Sequence, residues 1–217
     1  MSSNEYVHYG CGLCAPQSWT NFDASPTLRI QRIPVLGSLL TRGRARFPTN
    51  VHYGDIFKGL PIAPSSCEAI YCSHVLEHLS LEDLQIALLH TYEYLKPGGL
   101  FRCVLPDLER IVGAYVASSA KQPAVDFMLI LQGGGQWHRG LRGLLGWLGN
   151  SHHWSMWDYK SLAVELGRVG FTAIRRAAFG DAENPRFRDV EEEARWLDAL
   201  AIECRKGRAI PGPALKT

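Results

Sequence analysis

Gly10 and Gly12 flank Cys11, and the next acid, Asp23, stands eleven residues beyond Gly12. The preceding run Tyr6-Val7-His8-Tyr9 reads as a buried strand. Two glycines after a strand let the backbone turn sharply and approach a ligand closely. A carboxylate at the end of the following strand can accept two hydrogen bonds from a ribose diol. Strand, glycine turn and distant acid together describe a nucleoside-binding site at the carboxyl edge of a parallel sheet.

Other side chains could act on a bound molecule. Asp55 follows Gly54 at the end of a strand-like stretch, where it could also start a turn. Asp107 follows another strand and could serve a substrate or cap the next helix. His152 and His153 close a segment, Gln132 to Trp157, that carries seven glycines and four tryptophans. That segment suits a cap over a substrate, with tryptophans packing it onto the body as the plainer reading. Cys11-x-x-Cys14 has the spacing of a metal or redox pair. No second pair supports zinc and the motif lies within the glycine turn, so no metal is expected. Cys67, Cys72, Cys103 and Cys204 read as small buried hydrophobes.

The elements that must position these groups alternate between apolar strands and helices. Strands are expected at Tyr6–Tyr9, Trp19–Phe22, up to Val51–Asp55, Ala69–Cys72, Leu100–Leu105, Phe171–Ala177 and Leu200–Arg205. Ser80 is a good helix cap, Glu82 and Asp83 suit the positive end, and Leu81, Leu84, Leu88, Tyr92 and Leu95 form one stripe. Lys96-Pro97-Gly98-Gly99 ends that helix. Further helices are expected over Leu108–Ser118, Asp158–Val169 and the acidic stretch Asp189–Asp198. Such alternation gives a parallel sheet with helices on both faces.

The 217 residues fit one domain, expected over 1–206, with an insertion at about 121–157 and a disordered tail at 207–217. A net charge of +2 is too small to imply nucleic-acid binding. The N-terminus lacks the pattern of a secretory leader, and no apolar run is long enough to span a membrane; a cytoplasmic setting is expected. Between Ala24 and Gly54 lie Arg29, Arg32, Arg42, Arg44 and Arg46 with no acid. This reads as a solvated flank, with a phosphate-bearing acceptor, an anionic membrane surface touched through 29–46, or RNA as alternatives.

Three stretches together resemble one family. They are Tyr9 to Asp23; Ser73-His74-Val75-Leu76-Glu77-His78-Leu79 with Leu95-Lys96-Pro97-Gly98-Gly99; and His153 to Phe171, where a histidine precedes a helix ending in Val169-Gly170-Phe171. The chain resembles class I S-adenosylmethionine-dependent methyltransferases, in particular a small branch with a glycine-cysteine-glycine, tryptophan and acid pattern. The resemblance implies a three-layer, Rossmann-like, doubly wound and mostly parallel seven-stranded sheet with a last antiparallel strand. It implies S-adenosyl-L-methionine as cofactor and a small-molecule or glycan acceptor with an oxygen or nitrogen nucleophile.

On this resemblance Gly10, Cys11 and Gly12 pass under the amino-acid part of the cofactor and Asp23 holds its ribose. Asp55 accepts from the adenine amino group, Ile56 contacts the ring, and Ser73 and His74 lie beside the methionine portion. His153, Asp107 and His74 are the candidate catalytic residues; His78 reads as a core or helix-start histidine. The chain departs from the broad family in lacking the third glycine, where Leu13 or Cys14 stands. It also has only six residues between Gly12 and Trp19, too few for an ordinary first helix. These departures leave a catalytically inactive methyltransferase-like binding module as the alternative, with a nicotinamide-dependent oxidoreductase as a third reading.

Overall fold

The computed structural model describes residues 5–33, 46–131 and 153–207. Seven strands form one sheet: β1 Tyr6–Tyr9, β2 Thr20–Asp23, β3 Val51–Tyr53, β4 Cys67–Ser73, β5 Leu95–Pro106, β6 Phe171–Arg176 and β7 Ala199–Lys206. Their order across the sheet is β3-β2-β1-β4-β5-β7-β6. The strands from β1 to β5 pair in parallel, and β7 runs antiparallel to both β5 and β6.

This order creates the site. The chain moves outward from β1 to β2 and β3, then returns to place β4 on the other side of β1. Ligands of open α/β sheets bind beyond the carboxyl ends of the strands at such a reversal. Register aligns those ends, pairing Tyr9 with both Phe22 and Cys72, and Asp23 with Tyr53.

Strand alternation divides the core. On one face, Tyr9, Ile70, Cys72, Phe101 and Leu105 pack with Leu84 and Leu88 of α2 (Leu81–Tyr94) and Leu162 and Leu166 of α5 (Tyr159–Val169). Ser80 caps α2 as its sequence suggests, its hydroxyl accepting from the Asp83 N–H. Asp158 caps α5, and Gly170 ends it in the left-handed region at φ +110°. Leu81 leaves the expected stripe and is exposed.

The opposite face, built from Trp19, Ala69, Tyr71, Leu100, Val104 and Ala201, packs against Phe187 and Val190. Here the sequence expectation is corrected. The acidic stretch 189–198 is no α-helix; short 3-10 turns at Pro185–Asp189 and Glu193–Arg195 replace it. Tertiary partners explain this. Arg102 points out of β5 with 0% exposure and reaches Glu191 at 2.5 Å, Asp181 at 2.9 Å and Glu203 at 3.1 Å. Trp196 lies against that guanidinium, 4.7 Å from ring centroid to carbon. Local helix propensity yields to a buried charge that must be paired.

The same segment compensates for the short β1–β2 connection, which contains turns and no helix, as the spacing predicted. Trp19 Nε1 donates to the Arg186 carbonyl at 3.3 Å, and Ser18 Oγ donates to Asp189 at 2.6 Å.

Other boundaries shift. β2 begins and ends one residue later than expected, and β5 starts at Leu95 rather than Leu100. Three helices complete the described chain: α1 Pro26–Gln31, α3 Leu108–Val116 and α4 Pro123–Leu131. α1 and α4 were not anticipated, although Ser25 followed by Pro26 is a legible helix start. Most of the glycine- and tryptophan-rich segment, Arg42, Arg44, His152 and the tail from 208 lie outside the described residues. Among the described residues no helix is long and apolar enough to cross a membrane.

Candidate cofactor and acceptor site

The glycine turn is built for close packing. Gly10 has φ +66°, and a Cβ there would overlap Cγ2 of Val75. Gly12 has φ +54° with nothing within 4 Å of the place a Cβ would take. Both conformations favour glycine over any other residue.

Asp23 closes β2 with 8% exposure. Its Oδ2 accepts from the Gly12 N–H at 2.9 Å and its Oδ1 from the Ser25 N–H at 2.8 Å. Each oxygen retains a lone pair for another donor. Asp55 sits at the head of a 3-10 turn, Ile56–Lys58, 3.5 Å from Lys58 Nζ. Burial pushes its carboxyl above the usual range, and the Lys58 ammonium opposes that shift.

These groups border a cavity of about 390 Å³ whose walls include Tyr9, Gly10, Asp23, Asp55, Ile56 and His74. Val75, His78 and Leu79 continue the wall from the loop after β4. The volume falls within the range of small-molecule sites. Of the cofactor residues expected from sequence, Gly10, Asp23, Asp55, Ile56 and His74 line this cavity; Cys11, Gly12 and Ser73 do not.

Ser73 is held instead by a residue that sequence reading missed. Arg195 donates from Nε to Ser73 Oγ at 2.9 Å and from Nη2 to the Ser73 carbonyl at 2.6 Å. No local pattern marks Arg195, which reaches β4 from 122 residues away. Its carbonyl faces His74 Nε2 at 3.0 Å, while His74 Nδ1 faces Glu77 Oε1 at 3.1 Å. A carbonyl only accepts, so Nε2 carries a proton. Both ring nitrogens of His74 are therefore engaged, and its backbone is left-handed at φ +54°.

Asp107 caps α3. Its Oδ1 accepts from the Glu109 N–H at 3.0 Å, and its Oδ2 pairs with Arg176 at 3.4 Å. It is not among the residues lining the cavity. His153 lies beside the turn after β4, its ring 5.2 Å from that of His78, which does line the cavity. Cys11 and Cys14 are both free thiols; burial pushes Cys11 well up, and Cys11 packs with Leu28 and Val51.

The Arg-rich flank is partly accounted for. Arg29 lies over the Tyr53 ring at 4.9 Å, beside the cavity wall.

A family model described as a methyltransferase domain matches residues 13–175. No curated protein matches the chain. Among solved structures, a possible exported protein from Bordetella parapertussis superposes with TM-score 0.50 at 13% identity, over 94% of this chain and 62% of that one. The CMeT domain of the citrinin polyketide synthase gives TM-score 0.50 at 12% identity, over 94% and 46%. A possible histamine N-methyltransferase from Thermotoga maritima gives 0.49 at 13%, over 93% and 81%. The chain thus spans less than two thirds of the first two structures. At these identities the likeness is one of fold. With the matched domain covering most of the chain and the strand order arranged around the glycine turn, the chain belongs to the methyltransferase-domain family, with the Rossmann-like fold of S-adenosyl-L-methionine-dependent methyltransferases.

Proposed function

We propose that this chain transfers a methyl group from S-adenosyl-L-methionine to an oxygen or nitrogen of a small-molecule or sugar-type acceptor. The observation that carries the reading is the shared cavity wall of Gly10, Asp23 and Asp55 at the ends of three neighbouring strands. Gly10 keeps the turn tight, and Asp23 offers its remaining lone pairs to a ribose diol while two backbone N–H groups fix its carboxylate. In this reading Asp55 and the Ile56 backbone, both on the cavity wall, receive the adenine ring. Ile56, Phe57, Val75 and Leu79 supply apolar wall that excludes water.

The cofactor brings a methyl group already activated by a positively charged sulfur. The protein's task is to align the acceptor, and alignment can account for much of the rate. In this reading the acceptor approaches the loop after β4, near His74, His78 and His153. His74 acts there by shape, because both its nitrogens are bonded within the protein. Asp107 contributes by fixing the start of α3.

Calorimetric titration with S-adenosylhomocysteine tests the reading. Binding that weakens in Asp23→Ala supports it; no heat with the folded wild-type protein overturns it.

A further inference from the structure

The cavity wall continues into a cluster that cofactor binding does not use. Glu77, His78 and His153 each offer one ligand atom, and these atoms all lie within 4.8 Å of one another. Glu77 is only 1% exposed. Its Oε1 faces His74, but its Oε2 is buried and has no hydrogen-bond partner among the described residues. A buried carboxylate oxygen left without a partner is strongly unfavourable, and a cation is one group that satisfies it.

We propose that Glu77, His78 and His153 bind a divalent first-row transition metal ion of the zinc class. Two imidazoles and one carboxylate suit such an ion, whereas magnesium and calcium prefer oxygen-only surroundings. Metal bonds of about 2.0–2.2 Å place tetrahedral ligand atoms about 3.4 Å apart. The present separations, within 4.8 Å, shorten to that value when the ion is bound.

The ligands are brought together by hydrogen bonds that need no ion. The N–H groups of Trp154 and Ser155 both donate to the Glu77 carbonyl, at 2.8 and 3.1 Å. Ser155 Oγ adds a bond to the Leu79 carbonyl at 3.1 Å. His153 is thereby held against the turn that carries Glu77 and His78. The His74 ring steadies Glu77 from behind, as outer-shell groups do for metal-binding carboxylates. This departs from the sequence expectation of no metal, which considered only Cys11 and Cys14.

Three protein ligands leave a coordination position open, and His78 borders the cavity. Resting on the methyl-transfer reading, that position favours a hydroxyl acceptor. Its proton leaves to solvent as the O–CH₃ bond forms, and the S–CH₃ bond breaks with its electron pair staying on sulfur.

The test strips the full chain with EDTA and titrates it with CoCl₂, followed by visible absorption, and with ZnCl₂, followed by calorimetry. One ion per chain is expected. His153→Ala and Glu77→Gln should each weaken binding at least tenfold, and Cys14→Ser should leave it unchanged. Because Glu77→Gln alters a buried group, His153→Ala with a circular-dichroism check of folding decides the matter. Failure of both ions to bind, or wild-type affinity in folded His153→Ala, overturns the proposal. A parallel S-adenosylhomocysteine titration separates the two readings: it reports on the cofactor cavity whether or not metal binds.

Discussion

The Gly12 N–H donates to Asp23 Oδ2 at 2.9 Å, so the acid ending β2 is tied directly to the glycine turn that follows β1. With the Ser25 N–H on Oδ1 at 2.8 Å, one carboxylate joins two loops on one side of the cavity. Asp23 is thus a structural clasp as well as the proposed ribose acceptor.

Replacing Asp23 should therefore affect both roles. Hydrogen bonds to a charged group contribute about 1.5–3 kcal/mol, so Asp23→Ala is expected to weaken S-adenosylhomocysteine by roughly 10- to 100-fold. Calorimetry reads the affinity, and a parallel thermal melt should show a modest fall in stability as two backbone donors lose their acceptor. Unchanged affinity would remove Asp23 from the cofactor site.

Gly10 and Gly12 should separate in mutational effect. Both have positive φ, which costs a non-glycine residue about 1–2 kcal/mol. Only Gly10→Ala also drives a methyl group into Val75. Urea unfolding should rank Gly10→Ala as clearly less stable than Gly12→Ala, and Gly10→Ala with Val75→Ala should recover the steric part alone. Equal losses in the two single variants would contradict the packing described.

Arg102 anchors the segment that replaces a helical layer. Arg102, Glu191 and Glu203 are buried while Asp181 is partly exposed; removing the cation from such a buried centre leaves charge uncompensated, at a cost of about 3–5 kcal/mol. Arg102→Ala should show that loss in chemical denaturation, because Glu191 stays buried without its cation and Glu203 keeps only the more exposed Arg175. Arg102→Met with Glu191→Gln and Glu203→Gln should lose less than Arg102→Ala.

His8 makes stability depend on pH. Burial lowers its pKa from 6.5 to about 3, with the Arg195 charge adding to the effect. The unfolded chain then binds a proton that the folded chain refuses between those values. Stability is full above pH 6.5 and is lost as pH falls from about 6.5 towards about 3. Between pH 7.5 and 5.0 the contribution is about 2 kcal/mol. Urea unfolding at the two pH values should show a larger loss for the wild type than for His8→Phe; an identical loss would assign the dependence to other groups.

Much of the candidate cavity wall was legible because its signals are local. Gly10 and Gly12 mark a turn that needs positive φ, and Ser80 and Gly170 mark the limits of helices through groups within a few residues. Asp23 and Asp55 stand out in the sequence because each follows a short strand-like stretch. The segment 189–198 misled for the opposite reason. Its charge pattern suits a helix, but Glu191 answers to Arg102, 89 residues away in sequence.

The sequence by itself determined the alternation of strands and helices, the glycine turn and the acids that follow it, because backbone sterics and side-chain periodicity act over short distances. Only the tertiary structure decided that Arg195 would clasp Ser73, that His74 would have both nitrogens engaged, and that His153 would meet Glu77 and His78. Those encounters depend on which strand ends share an edge and which segment covers each face, and that is fixed by packing across the whole sheet.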